Sequence, residues 1–230
     1  MNEEFVIKPI AHIYTDFPEK FGIPRQSGFV DELKGKIVFE PDFRRSEALK
    51  ELDGFSHIWI IWQFSECVSA KWSPTVRPPR LGGNKRVGVF ASRSPFRPNS
   101  LGLSCVKIEK IDFECVDSPV IFVSGIDMMN GTPVFDIKPY IPTADLKPEA
   151  KEGYTEFTKN YEIEVTYGED VLSIVPPDKR SALIGILKND PRPSYCDENG
   201  KEYGISFAGY NIKFVYNDNT LNITEIERLK

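Results

Sequence analysis

The order of apolar and polar residues predicts a chain built mainly from short β-strands in its N-terminal part. Segments rich in β-branched and aromatic residues follow one another, with turn-forming residues between them. We predict strands over residues 5–14, 35–40, 57–64, 87–90, 105–112, 120–126 and 134–140. One short helix is expected over residues 46–52, with Ala48, Leu49 and Leu52 on its apolar face. Many short strands with little helix favour an antiparallel or mixed β-barrel.

Two of these strands carry a further expectation about their place in the sheet. The first contains Pro9, which cannot donate a ladder hydrogen bond, so we expect an edge strand. Residues 57–64 are almost continuously β-branched or aromatic. Such a run is typical of a strand buried on both faces.

A polar stretch with Pro and Gly, residues 141–154, predicts a linker between two domains. We therefore divide the chain into an N-terminal barrel domain, residues 1–145, and a small α+β domain, residues 155–230. In the second domain, Leu183, Ile184 and Leu187 have helical spacing within a predicted helix, 177–188. A predicted β-hairpin follows, with strands 205–216 and 221–226.

Composition excludes several classes of protein. The 230 residues are 40% apolar, no apolar run is long enough to cross a membrane, and the start of the chain lacks a secretory signal. The four cysteines have no CxxC pairing and no metal-ligand spacing. We expect a cytoplasmic protein with reduced thiols, without a metal and without membrane contact.

Positive charge is concentrated in one window, residues 67–108. The window holds eight Lys or Arg and no Asp or Glu, whereas the whole chain has 29 basic and 34 acidic residues and a net charge of −5. Because the window contributes +8, the remainder carries −13. Five prolines in the window stiffen loops that hold arginines outward. The window predicts an anion-binding surface, and a solvated connection between strands is the alternative.

The motifs in and around this window resemble those of a known family. WSPTVRPPRLGG begins at Trp72, and RVGVFASRSPFRPNSLGLS begins at Arg86. Matching segments lie in the same order elsewhere in the chain: PRQ from Pro24, FSHIW from Phe55, NGTPVFDIKPY from Asn130 and DPRP from Asp190. Together they resemble the TrmO, or TsaA-like, family of S-adenosylmethionine-dependent tRNA methyltransferases, over most of the chain.

The resemblance implies a β-barrel methyltransferase without the Rossmann glycine motif, which this sequence lacks. It implies S-adenosylmethionine as cofactor and tRNA as partner, with the exocyclic amino nitrogen of threonylcarbamoyl-adenosine next to the anticodon as methyl acceptor. The small C-terminal domain would help to position the tRNA. A homodimer is expected, because the family builds its cofactor site near a subunit interface.

The resemblance also assigns residues to the site. In this interpretation Arg93 takes the methionine carboxylate with its planar fork and Leu103 packs against the adenine. The other expected cofactor contacts are Pro24, Arg25, Gln26, Ser65, Glu66, Asn130, Gly131, Thr132 and Pro133. The candidates for tRNA phosphates or the threonyl carboxylate are Arg77, Arg80, Arg97 and Arg192. Asp136 and Tyr140 are the candidates for a catalytic base, and His57 is interpreted as a structural hydrogen bonder.

Two departures from the family pattern leave a second hypothesis open. Relatives tend to have His-Gln where this chain has Ser65-Glu66, and many have Asp where it has Asn130. The alternative is a non-catalytic RNA- or anion-binding barrel that has kept the arginine window and lost cofactor binding.

Overall fold

A computed structural model describes residues 5–68, 72–78, 81, 85–158, 162–192 and 199–229. Within these ranges the strands are β1 Ala11–Thr15, β2 Lys34–Phe39, β3 His57–Gln63, β4 Thr75–Val76, β5 Val87–Gly88, β6 Leu101–Asp112, β7 Val120–Ser124, β8 Thr132–Pro139, β9 Glu164–Thr166, β10 Glu202–Phe207, β11 Tyr210–Asn217 and β12 Thr220–Arg228. The α-helices are α1 Pro142–Asp145, α2 Glu169–Leu172 and α3 Pro177–Lys188.

Six strands close into a barrel in the order β1-β2-β7-β6-β3-β8. Every neighbouring pair in the ring is antiparallel. Closure pairs the last strand with the first, through Ala11 opposite Val134 and Ile13 opposite Thr132. The prediction of a mainly β, antiparallel barrel is confirmed.

Barrel closure corrects both expectations about strand position. The strand predicted over 5–14 begins only at Ala11, after Pro9, and it is not an edge strand because it pairs on both sides. Strand β3 is not buried on both faces, since Ile58, Ile60 and Trp62 point into the core and the residues between them are partly exposed. A barrel wall has one inner and one outer face, so even an apolar strand alternates.

Two short predicted elements have a different form. The helix expected over 46–52 is a pair of 3₁₀ turns, Ser46–Leu49 and Leu52–Gly54, separated at Glu51, which has a positive φ. The strand expected over 87–90 consists of β5 alone, and a 3₁₀ turn, Val89–Ala91, follows it. Phe90 consequently points into solvent and Val89 into the interior.

A four-stranded sheet of order β10-β11-β12-β9 forms the C-terminal part. The segment predicted as a single strand over 205–216 turns back at Ala208-Gly209, where both residues have positive φ, and so supplies β10 and β11. Helix α3 has the predicted bounds. Its buried residues, Ala182, Leu183, Ile186 and Leu187, form one apolar face.

The barrel and the C-terminal sheet share one hydrophobic core. The β1–β2 connection, residues 16–33, lies between them. Phe17 packs against Phe207 with ring centroids 5.3 Å apart, and Lys179 pairs with Asp16. Val30 also packs against Gly185 of α3. A Cβ added to Gly185 would lie only 2.6 Å from a methyl carbon of Val30. The core therefore holds the connection that carries Pro24, Arg25 and Gln26.

Antiparallel order sends alternate connections to opposite ends of the barrel. The β1–β2, β3–β6 and β7–β8 connections leave from one end, which we call the loop end. The β2–β3 and β6–β7 connections leave from the other end. In the described part of the chain no helix is long and apolar enough to span a bilayer.

Candidate functional site

Three connections that are far apart in sequence meet at the loop end of the barrel. They carry Pro24, Arg25 and Gln26 after β1, the basic window after β3, and the turn at Asn130 after β7. Most residues predicted for the site thus share one end of the barrel. The topology of the strands brings them together.

A hydrogen bond from Arg93 to the side chain of Gln26 links two of these connections. One guanidinium nitrogen, Nη1, donates to Gln26 Oε1, while the amide of Gln26 donates to the backbone carbonyl of Arg25. Arg93 is otherwise exposed. A planar guanidinium that is oriented by a neighbouring amide is well suited to bind a carboxylate in a bidentate manner.

Behind Arg93 lies a hydrogen-bonded row of side chains that sequence reasoning did not assign to the site. Trp62 Nε1 donates to Ser104 Oγ at 2.9 Å, and Ser104 Oγ donates to Asp127 Oδ1 at 2.6 Å. The carboxylate also accepts the backbone N–H of Ser27. Asp127 therefore joins the barrel wall to the connection that carries Gln26.

The environment of Asp127 shifts its proton affinity. Burial raises the pKa of Asp127 from 3.8 to about 6, because the charged form loses hydration. Hydrogen bonds from Ser104 and Ser27, and the positive charge of Arg93, act in the opposite direction. A carboxyl group with a pKa near neutrality is thus held next to the predicted cofactor-binding arginine.

Replacing this carboxyl group, Asp127→Asn, should remove a pH dependence of stability. Because the folded state holds the proton more tightly than the unfolded state, ionisation of Asp127 lowers stability as pH rises from about 4 to about 6. The unfolding free energy of wild type minus that of the variant should therefore fall by about 2 to 3 kcal/mol over this interval. Urea denaturation at several pH values measures it.

Asp53→Asn is the matched control, since Asp53 is exposed at the other end of the barrel. Its difference from wild type should show no such fall. A difference for Asp127→Asn that stays constant or rises with pH would contradict the raised pKa.

The turn at Asn130 has a structural role in this chain. Asn130 Oδ1 accepts the backbone N–H of Thr15 at 3.1 Å, and Gly131, with a φ of 77°, donates to the carbonyl of Ile13. Thr132 is buried and Pro133 is partly exposed in β8. The amide oxygen of Asn130 accepts the same hydrogen bond from Thr15 that an aspartate carboxylate could accept. Asn in place of the relatives' Asp therefore preserves the structure of the turn.

The other predicted cofactor contacts lie near the loop end but are not joined to Arg93 by a described bond. Ser65 and Glu66 form an exposed 3₁₀ turn directly after β3. Pro24 is a buried residue of the β1–β2 connection. Leu103 lies on the outer face of β6, opposite Ile61, with 55% of its surface exposed.

The two catalytic candidates lie at different levels of the barrel. Asp136 is in the middle of β8, opposite Ile61, and pairs with Lys138 at 3.0 Å. Tyr140 follows β8 at the opposite end of the barrel, where its ring packs against those of His57 and Trp59. Only Tyr140 is thus remote from the loop end, whereas Asp136 lies at the same level of the barrel wall as Leu103, with Ile61 between them.

The predicted nucleic-acid contacts differ in their surroundings. Arg77 is exposed, and Arg97 is partly buried with Nη1 donating to the carbonyl of Ser92 at 3.1 Å. Arg80 lies outside the described residues. Arg192 is only 4% exposed and makes two hydrogen bonds to Asp190, at 2.8 and 2.9 Å.

The surroundings of Arg192 give its guanidinium a structural role in this chain. Its guanidinium lies 3.3 Å from the ring centre of Tyr216, and its backbone carbonyl accepts from Arg25 at 3.5 Å. Arg192 therefore contacts the C-terminal sheet through its guanidinium and the loop that carries Arg25 through its backbone carbonyl. The sequence signal, an Arg in a Pro-rich loop, does not distinguish this role from phosphate binding.

Comparison with known families agrees with this geometry. The model of the tRNA-methyltransferase O N-terminal domain matches residues 12–146, and the TrmO C-terminal domain model matches residues 157–229. The chain belongs to the TrmO family. Its match therefore includes both the barrel with its loop end and the C-terminal sheet.

Individual relatives support membership in the TrmO family along almost the whole chain. A tRNA (adenine(37)-N6)-methyltransferase of Escherichia coli K12 is 35% identical over 97% of this chain and 98% of its own length. A putative S-adenosylmethionine-dependent methyltransferase, RcsF, of Pseudomonas aeruginosa PAO1 is 35% identical over 91% and 92%. A crystal structure of TrmO from P. aeruginosa superposes with a TM-score of 0.80 at 28% identity and covers 99% of both chains.

Sequence reasoning missed Asp127 although one signal for it was present. An acidic residue directly follows the apolar strand predicted over 120–126, and strand ends are where sites are commonly built. Its partners Ser27 and Ser104 are distant in sequence and give no local pattern. Among the described residues of this TrmO chain, no group of three or more His, Cys, Asp or Glu could hold a metal ion.

Proposed function

We propose that this chain transfers the methyl group of S-adenosylmethionine to the N6 nitrogen of adenosine 37 in tRNA, with threonylcarbamoyl-adenosine as the acceptor nucleoside. The observation that carries the proposal is the E. coli tRNA (adenine(37)-N6)-methyltransferase, which matches 97% of this chain. The assignment of a threonylcarbamoyl group to the acceptor rests on the sequence resemblance alone.

The loop end offers groups that fit the cofactor. The exposed guanidinium of Arg93, oriented by Gln26, has the shape and charge to bind the methionine carboxylate. The exposed side chain of Leu103 offers an apolar surface for the adenine. The pKa of Asp127 is raised to about 6, so the group is mostly ionised at pH 7. Its carboxylate accepts hydrogen bonds from Ser27 and Ser104 and holds both residues in place.

The chemistry requires little beyond alignment. S-Adenosylmethionine supplies a sulfonium that activates the methyl group for attack by a nitrogen lone pair. Holding two reactants in line can remove several kcal/mol, up to about 7 to 11, from the activation barrier. The residues at the loop end bind and orient the donor, and the basic window attracts the polyanionic tRNA.

We further propose a cytoplasmic homodimer, in which the barrel domain, residues 1–145, binds the cofactor. The small domain, residues 155–230, helps to position the tRNA. The dimer is proposed from the sequence resemblance, because the family builds its cofactor site near a subunit interface. Light scattering at several protein concentrations tests the dimer.

Two preparations of one tRNA test the acceptor assignment, one carrying and one lacking the threonylcarbamoyl group on adenosine 37. Incubation with the protein and S-adenosylmethionine should methylate only the first, as read by mass spectrometry of the nucleosides. Equal methylation of both would show that the threonylcarbamoyl group is not required and would overturn this part of the proposal. Tight tRNA binding without methylation of either would favour the non-catalytic binding barrel.

A further inference from the structure

A small ribbon in the basic window presents two aromatic rings to solvent. Strands β4 and β5 pair through Thr75 opposite Gly88 and Val76 opposite Val87. Trp72 precedes β4 and Phe90 follows β5, so the ribbon brings both rings to the same end. Their ring centroids are 6.1 Å apart, with an angle of 33° between the planes.

These rings are exposed although their surroundings are firmly held. Trp72 is 50% exposed and Phe90 72% exposed. Between them the backbone N–H of Val89 donates to the carbonyl of Pro74 at 2.9 Å, and the side chain of Val89 is buried. Large aromatic rings on a well-anchored ribbon, with their outer faces in water, are typical of surfaces that stack nucleic-acid bases.

The other end of the ribbon gathers positive charge. Continuing the β4–β5 register by one residue sets Arg77 opposite Arg86, and both are exposed. Arg86 Nη1 donates to Thr75 Oγ1 at 2.7 Å, which fixes this guanidinium on the ribbon. Like charges opposite each other across a ladder repel, and a bound anion between them would relieve this repulsion.

We propose that the β4–β5 ribbon is an RNA-contact element in which Trp72 and Phe90 stack on an unpaired base of the tRNA and Arg77 and Arg86 bind the adjoining phosphates. The proposal rests on the proposed tRNA substrate and names the part of the chain that recognises it. An anticodon loop has unpaired bases and a phosphate backbone at close spacing. Aromatic rings at one end of the ribbon and guanidinium groups at the other match both chemistries.

The test compares wild type with a Trp72→Ala, Phe90→Ala double variant. The probe is a labelled anticodon stem-loop RNA with adenosine at position 37, the position in the E. coli relative's name, and its dissociation constant is measured by fluorescence anisotropy. Loss of stacking should weaken binding about 5- to 150-fold. The affinity for S-adenosylmethionine, measured without RNA, should stay within about twofold because the rings are not in the cofactor cluster.

Two further variants sharpen the comparison. Trp72→Phe keeps a stacking ring and should retain most of the RNA affinity. Phe113→Ala is the matched control, since Phe113 is also exposed, at 44%, but follows β6 at the opposite end of the barrel between Asp112 and Glu114. It should leave RNA affinity unchanged.

The outcomes separate this inference from the proposed enzyme activity. Unchanged RNA affinity in the double variant overturns the ribbon proposal, even if methyl transfer by wild type is observed. Loss of dimerisation with unchanged RNA affinity overturns it too, and makes the rings a subunit contact. RNA binding that depends on the rings, without methyl transfer by wild type, supports the ribbon and contradicts the enzyme.

Discussion

Arg93→Ala should abolish most of the affinity for S-adenosylmethionine. The guanidinium of Arg93 is held by Gln26 and is proposed to bind the methionine carboxylate with two charge-assisted hydrogen bonds. Their loss should cost about 2 to 4 kcal/mol, which raises the dissociation constant about 30- to 1000-fold. Calorimetric titration of each protein with the cofactor, in the absence of RNA, measures the change.

Two variants control for charge and for position. Arg93→Lys keeps the charge but not the planar fork, so its affinity should be intermediate. Lys107→Ala removes a cation of the same basic window in the middle of β6, opposite His57, where Lys107 pairs with Glu109 at 3.2 Å. This variant should bind the cofactor as wild type does. Equal affinities of wild type and Arg93→Ala would exclude Arg93 from the cofactor site.

A second large effect is expected in the barrel wall at Gly102. This residue lies opposite Trp62, and a Cβ added to it would lie 2.3 Å from the indole ring. The ring cannot easily move away, because its Nε1 donates to Ser104 and it packs on Phe64 with centroids 4.2 Å apart. Gly102→Ala should therefore cost about 3 kcal/mol, or a fall in Tm of about 6 to 12 °C.

Gly88→Ala is the matched control for this substitution. Gly88 also lies in a strand, its φ of −60° suits any residue, and an added Cβ would meet no atom within 4 Å. Its Tm should stay within about 2 °C of wild type. If Gly102→Ala melted at the wild-type temperature, the tight contact between Gly102 and Trp62 would be disproved.

The positions of strands and helices could be predicted from the sequence where they are set by the periodicity of neighbouring residues. Helix α3 agrees with its prediction, because Ala182, Leu183, Ile186 and Leu187 repeat at helical spacing after a proline that suits a helix start. The prediction of a single strand over 205–216, where the structure has β10 and β11, failed for a local reason as well. Ala208 takes a positive φ beside Gly209, and alanine gives no turn signal.

The arrangement of the site depends on pairings between distant segments, which no local pattern contains. The raised pKa of Asp127, about 6, comes from burial beside Ser104 of β6 and Ser27 of the β1–β2 connection. Arg192 was expected to reach a phosphate, yet Asp190 and Tyr216 enclose its guanidinium. The family resemblance identified Gln26 and Arg93 as site residues from the sequence. The hydrogen bond between them is known only from the structure.

Methyl transfer to tRNA is the most direct test of the proposed activity. The protein is incubated with tRNA and S-adenosylmethionine whose methyl group carries deuterium, and the RNA fragments are analysed by mass spectrometry. We expect one deuterated methyl group, on the nucleoside at position 37 that the E. coli relative's name specifies, and its loss in Arg93→Ala. Label at another position, or no label although cofactor and tRNA both bind, would contradict the proposed activity.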